Sequence, residues 1–396
     1  MSQNSSALSR DPSVFLTLLP IMSAVFIAFL VIGFALPALP LHVHNGLGLG
    51  GFAVGVVAGG QFAASLVSRV WAGDFADGRG AKRAVVYGLL RASGAGVLYL
   101  SSLLPLATPI TSAGVLLLGR AVLGGAESFI ITGAVSWGLI LGGRANTGKV
   151  IAWVGTAMYA AFAVGAPIGG MLYDACGFVA IALATAVAPL ITLAVVIPLR
   201  SVAPQRRTTA KISTVLGAIW IPGVGLSLSS FGFGAMMTFA SLLFAERGWS
   251  PIWLGVTAFA VSFIVVRMFF GHLTDILGGA RVALVCLVIE ALGLALIWFA
   301  PWESLAFIGA LLTGFGYSLV YPGFGVEAVR RAPPESRGLA MGTYTAFLDL
   351  ALGVSSPVLG LLSGKAGTDK VFLASAIVVA SASVVAFWLR RHPAPG

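Results

Sequence analysis

Charge is scarce in this chain of 396 residues: Asp, Glu, Lys and Arg together make up 9%. A soluble domain carries about 25% charged and about 45–50% apolar residues, whereas 58% of this chain is hydrophobic, with a mean hydropathy of +1.01. That excludes a water-soluble globule, because no soluble fold of this length hides so much apolar surface; lipid must be the solvent for most of it. Cysteine is rarer still. The two residues, Cys176 and Cys286, lack metal-ligand spacing, which excludes a disulfide framework and leaves both as packing residues. No G-x-x-x-x-G-K-[ST] run and no long soluble segment is found, which argues against ATP as the energy source. No metal-ligand cluster and no nucleophile–base constellation stands out, so neither an enzyme nor a metal or other cofactor is expected. The polar start MSQNSSALSRDPS runs into an apolar stretch too long for a signal peptide. What is abundant is glycine, 51 residues, which suits close helix–helix approach in lipid.

A transmembrane helix needs about 20 apolar residues. Twelve such runs are read, at roughly 14–40, 51–72, 83–103, 112–141, 148–173, 178–199, 214–244, 251–271, 281–300, 304–327, 338–362 and 370–389. None alternates as a barrel strand would. With the N-terminus in the cytoplasm, sixteen basic residues fall in inside segments, among them Arg79, Arg200, Arg206, Arg330 and Arg390. Three, Arg247, Lys365 and Lys370, fall outside. This asymmetry sets both termini on the cytoplasmic side. The net charge of +10 therefore reads as topology, with no nucleic-acid partner. The polar segment 200–213 reads as a cytoplasmic linker between two six-helix bundles, 1–199 and 214–396.

The halves repeat. A shift of 198 residues lays Arg69 on Arg267, Gly73 on Gly271, Asp77 on Asp275, Gly80 on Gly278 and Arg83 on Arg281. A shift of 190 lays Pro167 on Pro357, Gly170 on Gly360 and Gly177 on Gly367. An offset of six spans preserves topology, so the fold class expected is an all-α integral membrane protein of twelve transmembrane helices, built as two parallel six-helix repeats.

The stretch GDFADGRGAKR, Gly73 to Arg83, resembles the loop motif between the second and third helices of the major facilitator superfamily, and GHLTDILGGAR, Gly271 to Arg281, resembles its weaker copy. LLLGRAVLGGAES resembles the family's R-x-x-x-G pattern at Arg120 and Gly124. GAPIGG, Gly165 to Gly170, resembles the G-P-x-x-G-G element of its drug/proton antiporter branch, with Ala166 where Pro is expected and Pro167 one place late. The resemblance implies that Asp77 faces the start of the eleventh helix near Arg337–Gly338. Gly73, Asp77, Gly80, Lys82, Arg83, Asp275 and Arg281 would then form a conformational latch between the halves. An anion beside a helix N-terminus gains about 0.3–1 kcal/mol, little enough for a switch.

An ionisable residue at mid-membrane costs at least about 2.5–3.5 kcal/mol and is a functional candidate by default. Arg120, Glu127, Asp349 and Glu290 are the candidates for proton coupling and the substrate cavity. Arg120 and Glu127 are seven residues apart, two turns along one helix face, and are expected to line one cavity. In the repeat Glu127 falls on Tyr317 and Asp349 on Tyr159. Arg91 is expected to snorkel to the surface. Phe34, Tyr159, Phe233, Tyr317 and Tyr321 are candidate cavity aromatics. Pro37 and Pro40 in the first helix, with Gly165, Pro167, Gly169, Gly170 and Pro357, mark gating helices. His42 and His44 read as solvated loop residues. The expected function is secondary active transport in a bacterial inner membrane: proton-coupled efflux of a small organic molecule by a monomer embedded in membrane lipid. The alternatives are a proton-coupled importer on the same fold, a lipid flippase or a non-transporting receptor.

Overall fold

The computed structural model describes residues 12–104, 108–143, 146–203, 212–333 and 336–393. Among these every regular element is helical. The first half holds α1 (Pro12–Leu41), α2 (Gly51–Arg79), α3 (Ala81–Ser101), α4 (Pro109–Gly142), α5 (Thr147–Cys176) and α6 (Phe178–Val196). The second holds α7 (Ile212–Glu246), α8 (Leu254–Phe270), the single turn α9 (Leu273–Ile276), α10 (Gly279–Phe299), α11 (Glu303–Arg331), α12 (Arg337–Ala366) and α13 (Thr368–Arg391). Eleven helices are long and apolar enough to cross a membrane, and α8, of 17 residues, is the shorter twelfth. Twelve crossings bring both ends of the chain and the 200–213 segment to one face, called here the linker face. Residues 204–211 of that segment lie outside the described residues, as does Arg144, while the side chains of Lys149, Arg337 and Gly338 are not described.

The repeat is written into the backbone. Gly48, Gly80 and Gly177 have φ of +67°, +102° and +67°, and their counterparts Gly248, Gly278 and Gly367 have +68°, +90° and +102°. A side chain rarely adopts these values, so each pair marks one turn built twice. Packing repeats as well. α1 on α5, α2 on α4 and α3 on α6 recur as α7 on α12, α8 on α11 and α10 on α13. The halves meet through α2 with α12 and α5 with α8, which the same repeat interchanges, and through α1 with α7, which it maps onto itself. Outer helices turn large apolar side chains outward, such as Ile191 of α6, Val285 of α10 and Val384 of α13, as a lipid-facing surface requires.

Three local expectations are corrected. The second span was bounded at residue 72 by the onset of charge, but α2 continues to Arg79 and ends where Gly80 takes positive φ. Asp77 therefore lies in the last turn of α2 and not in a loop after it. His42 is not solvated: α1 runs through Pro37 and Pro40 and passes into a π turn, His42–Gly46, whose first ring stacks on Phe178 at 4.2 Å. His44 bonds the Leu49 carbonyl oxygen at 3.0 Å. Cys286 packs inside as expected, while Cys176 is exposed at the end of α5 because the helix stops there.

Small residues let the helices touch. A Cβ on Gly165 would stand 2.8 Å from the Gly33 Cα, which joins α5 to α1. Gly169 lies against the Phe34 backbone and Gly170 against the Trp253 ring of the second half. Away from the linker face, Gly51, Gly55 and Gly59 of α2 lie against Gly360, Ser356 and Pro357 of α12. There the halves are closed backbone to backbone. Towards the linker face they part: a Cβ on Gly73 or Gly78 would meet no atom within 4 Å.

Candidate functional site

Charged side chains of both halves meet below that closure, where α2 and α12 leave each other. Arg69, one turn short of Gly73, turns inward across the gap. Its Nε donates to Asp349 Oδ2 of α12 at 2.9 Å, and its Nη2 pairs with the same oxygen. Asp349 is 5% exposed and Arg69 21%, so the pair is largely withdrawn from water. Ser65, one turn earlier on α2, stands beside Asp349 and reaches Ser128 of α4 at 3.0 Å. Next to Ser128, half-buried Glu127 accepts a 2.8 Å hydrogen bond from the Gln61 amide of α2. Glu127, Asp349 and Arg69 lie within electrostatic range of one another. The grouping thus holds one cation and two carboxyls, drawn from both halves.

A cleft of about 370 Å³ opens between α5 of the first half and α8 and α11 of the second. Arg267 stands in its wall, with its Cζ 5.5 Å from the ring centroid of Tyr159, 5.8 Å from Phe263 and 5.9 Å from Tyr321. Tyr321 is held from both ends. Its hydroxyl meets Thr345 at 2.9 Å, and its carbonyl accepts from the Tyr344 hydroxyl at 2.8 Å. Tyr159 of the first half thus lies against the Arg267 guanidinium of the second across the cleft.

Asp349 and Glu127, singled out from the sequence, are brought together; Arg120 reaches Glu127 only through the packed wall, and Glu290 lies apart. The α2–α4 crossing is so tight at Gly124, against the Gln61 backbone, that Arg120 is enclosed in the wall above Glu127. It is 3% exposed, lies near Tyr99 of α3, and makes one long contact of 3.5 Å to the Ala58 carbonyl. Arg120 thus bears on Glu127 from within the helix packing and not from the cleft wall. Glu290, 0% exposed, sits inside the second half between Gly232 of α7 and Gly316 of α11. Among the described residues no hydrogen bond reaches either of its oxygens. Of the aromatics, Tyr159 lines the cleft, and Tyr321 stands against Arg267. Phe233 and Tyr317 stack deeper in the second half at 5.0 Å, and Phe34 packs on α5. Arg91, half-buried, leans over Tyr87 and Phe129 at 5.5 and 5.7 Å.

Of the loop-motif residues, Gly271 and Asp275 line the cleft, while Lys82, Arg83 and Arg281 do not. Lys82 donates to the carbonyls of Ile197 and Leu199, both at 2.6 Å, and so caps the end of α6. Arg83 and Arg281 are exposed, and exposed Asp275 stands on α9 at the mouth of the cleft. Gly73, expected to allow close helix approach, has none here, because the halves are parted at that level. Pro167 and Pro357 occupy equivalent interior positions of α5 and α12.

The sequence reading passed over Arg69 and Arg267 because they fall near span ends, where a long cation ordinarily snorkels. The signal was present: the register that superposes them is the one that revealed the repeat.

Known proteins match along nearly the whole chain. The family model described as Major Facilitator Superfamily matches residues 21–256 and 223–396. The uncharacterized MFS-type transporter STM4428 of Salmonella typhimurium is 41% identical over 381 residues, 96% of this chain and 98% of that protein. The uncharacterized MFS-type transporter YhhS of Escherichia coli is 38% identical over 368 residues, 93% of this chain and 91% of that one. Among solved structures, the inward-facing, unoccupied bacterial homolog of the human lysosomal transporter Spinster superposes with a TM-score of 0.75 at 12% identity, covering 97% of this chain and 98% of that one. The D-xylose-proton symporter does so with 0.75 at 13% identity, covering 94% and 97%. At such identities these two likenesses speak for the fold alone. Twelve crossings, a doubled six-helix plan and these full-length matches lead to one conclusion: the chain belongs to the major facilitator superfamily and is a multi-pass membrane transporter.

Proposed function

We propose that this secondary transporter couples proton entry to the efflux of a small organic molecule across a bacterial inner membrane, with its linker face in the cytoplasm. The units 1–199 and 214–396 rock against each other about the cleft, and the 200–213 segment joins them. The observation that carries the reading is Glu127: a carboxyl at mid-span, held by a neutral amide, within range of an ion pair whose members belong to opposite halves. A carboxyl keeps its charge beside a guanidinium and takes up a proton where that guanidinium is withdrawn and the site is dry. Rocking moves α12 relative to α2 and so changes what Arg69 faces. Proton binding then alternates with conformation, which is all that coupling needs. In the opposite state the linker-face ends of the halves close. Asp77 then meets the start of α12 at Arg337, and Gly73 and Gly80 permit the approach. The sixteen-to-three distribution of basic residues supports the orientation, and the imperfect antiporter element at Gly165–Gly170 supports export.

A thermal-shift screen over organic acids, sugars, amino acids and cationic drugs supplies a ligand, since a compound bound only by the folded state raises its stability. That ligand is added outside proteoliposomes carrying a luminal pH dye. Exchange against protons makes the lumen more alkaline whichever way the protein is inserted; acidification means symport, and no change means no coupling. Glu127→Gln is expected to abolish the pH signal while sparing ligand-for-ligand exchange. A normal signal in that variant would remove Glu127 from the mechanism.

A further inference from the structure

The two arginines superposed by the repeat face different partners. Arg69 of α2 is held by the Asp349 carboxylate of α12. Arg267 of α8 meets in the equivalent place the ring of Tyr159 on α5, and Tyr159 is the repeat mate of Asp349. Exchange of the halves thus turns a guanidinium beside a carboxylate into a guanidinium beside the Tyr159 phenol.

The rings of Tyr159, Phe263 and Tyr321 surround Arg267 at 5.5, 5.8 and 5.9 Å. Rings attract the cation but accept little from its N–H donors, which lie in the guanidinium plane. Among the described residues nothing accepts from Nη1, although that atom is buried, and no carboxylate pairs with Arg267. Buried donors are almost always satisfied, and this one stands in the wall of a cleft. The missing acceptor is where the mate arginine has Asp349.

We propose that the cleft binds an organic anion: a carboxylate, sulfonate or phosphonate on a flat apolar body. Its oxygens accept from the edge of the Arg267 guanidinium, and its body lies against Tyr159 and Phe263, the aromatic rings of the cleft wall. A planar fork of donors suits such oxygens, and the aromatic rings suit the body. The substrate is thereby the counter-ion that the second half lacks. The cleft's volume of about 370 Å³ fits a small ligand. This inference rests on the reading of the cleft as the substrate path and adds the sign of the substrate's charge.

The test is equilibrium calorimetry on the full chain in nanodiscs of zwitterionic lipid, with benzoate, benzenesulfonate and phenylphosphonate as probes and benzamide and benzylamine as their uncharged and cationic counterparts. At least one anion is expected to bind about tenfold or more tighter than the amide and the amine. Arg267→Gln should reduce that anion to the level of benzamide, and Arg267→Lys should keep part of the preference, with melting temperatures confirming that both variants fold. Binding of none of the anions, preference for benzylamine, or unchanged anion affinity in Arg267→Gln would overturn the proposal. Loss of anion binding in discs containing anionic lipid would assign the cleft to a lipid headgroup and overturn it too. The titration uses no gradient. Anion preference therefore stands or falls separately from proton coupling, which the luminal pH signal reads.

Discussion

Arg69 and Asp349 form an ion pair that ties the two halves together. Removing one member of a buried pair leaves the other charged and uncompensated, typically at a cost of about 3–5 kcal/mol. With Arg69 partly exposed, Asp349→Asn should cost at the low end, about 3 kcal/mol, and the double change Arg69→Gln/Asp349→Asn less than that. Melting temperatures of both variants check this, and a double variant less stable than the single one would speak against an interdependent pair. Glu290 is the opposite case: a carboxyl enclosed within one half, away from the cleft. Glu290→Gln should therefore leave the luminal pH signal intact, and loss of that signal would bring Glu290 into the coupling path. Asp349 and Glu127 were legible in the sequence because charge at mid-membrane is expensive and needs a reason. The same rule misplaced Arg120, since it tells how costly a charge is and not which way a long side chain bends. It also passed over Arg69 and Arg267, whose importance lies in partners 280 residues away for one and on another half for both.

Among helices, the informative contrast is between glycines of α2. Gly55 lies against the Ser356 carbonyl of α12, while the surroundings of Gly73 are open. Gly55→Leu forces those backbones apart; overpacking of this kind costs about 1–3 kcal/mol and should shift the protein towards opening away from the linker face. Gly73→Ala meets nothing in this state, and gains up to about 1 kcal/mol of helix propensity. It should nevertheless slow transport, because the opposite state brings α2 and α12 together there. Thermal stability and transport rate measured on both variants separate the effects; a Gly73→Ala protein transporting at the normal rate would dismiss the latch. Helix number and order were readable from apolar run lengths, and the turns from glycines in register. The end of α2 was not, because Asp74, Asp77 and Arg79 look like a loop to a hydropathy count yet lie in the last turns of the helix. Helix rotations were likewise hidden: glycine stripes on several faces of α2 and α4 do not say which face meets which neighbour.

For the molecule as a whole, packing away from the linker face and the cleft towards it describe one of two states of an alternating pump. Rocking of the halves predicts anticorrelated distances. One spin-label pair at Phe52 and Leu361 reports on the closed end, and another at Gly78 and Ile276 on the linker face; all four sites have room for a label. Cys176 and Cys286 would be replaced first. Pulsed electron resonance on both pairs, in acidic and in alkaline buffer, should show a short first distance and a long second one in the state described here. A change of pH should lengthen the first as it shortens the second, and Glu127→Gln should remove that response. Two distances that stay fixed, or that lengthen together, would contradict the account.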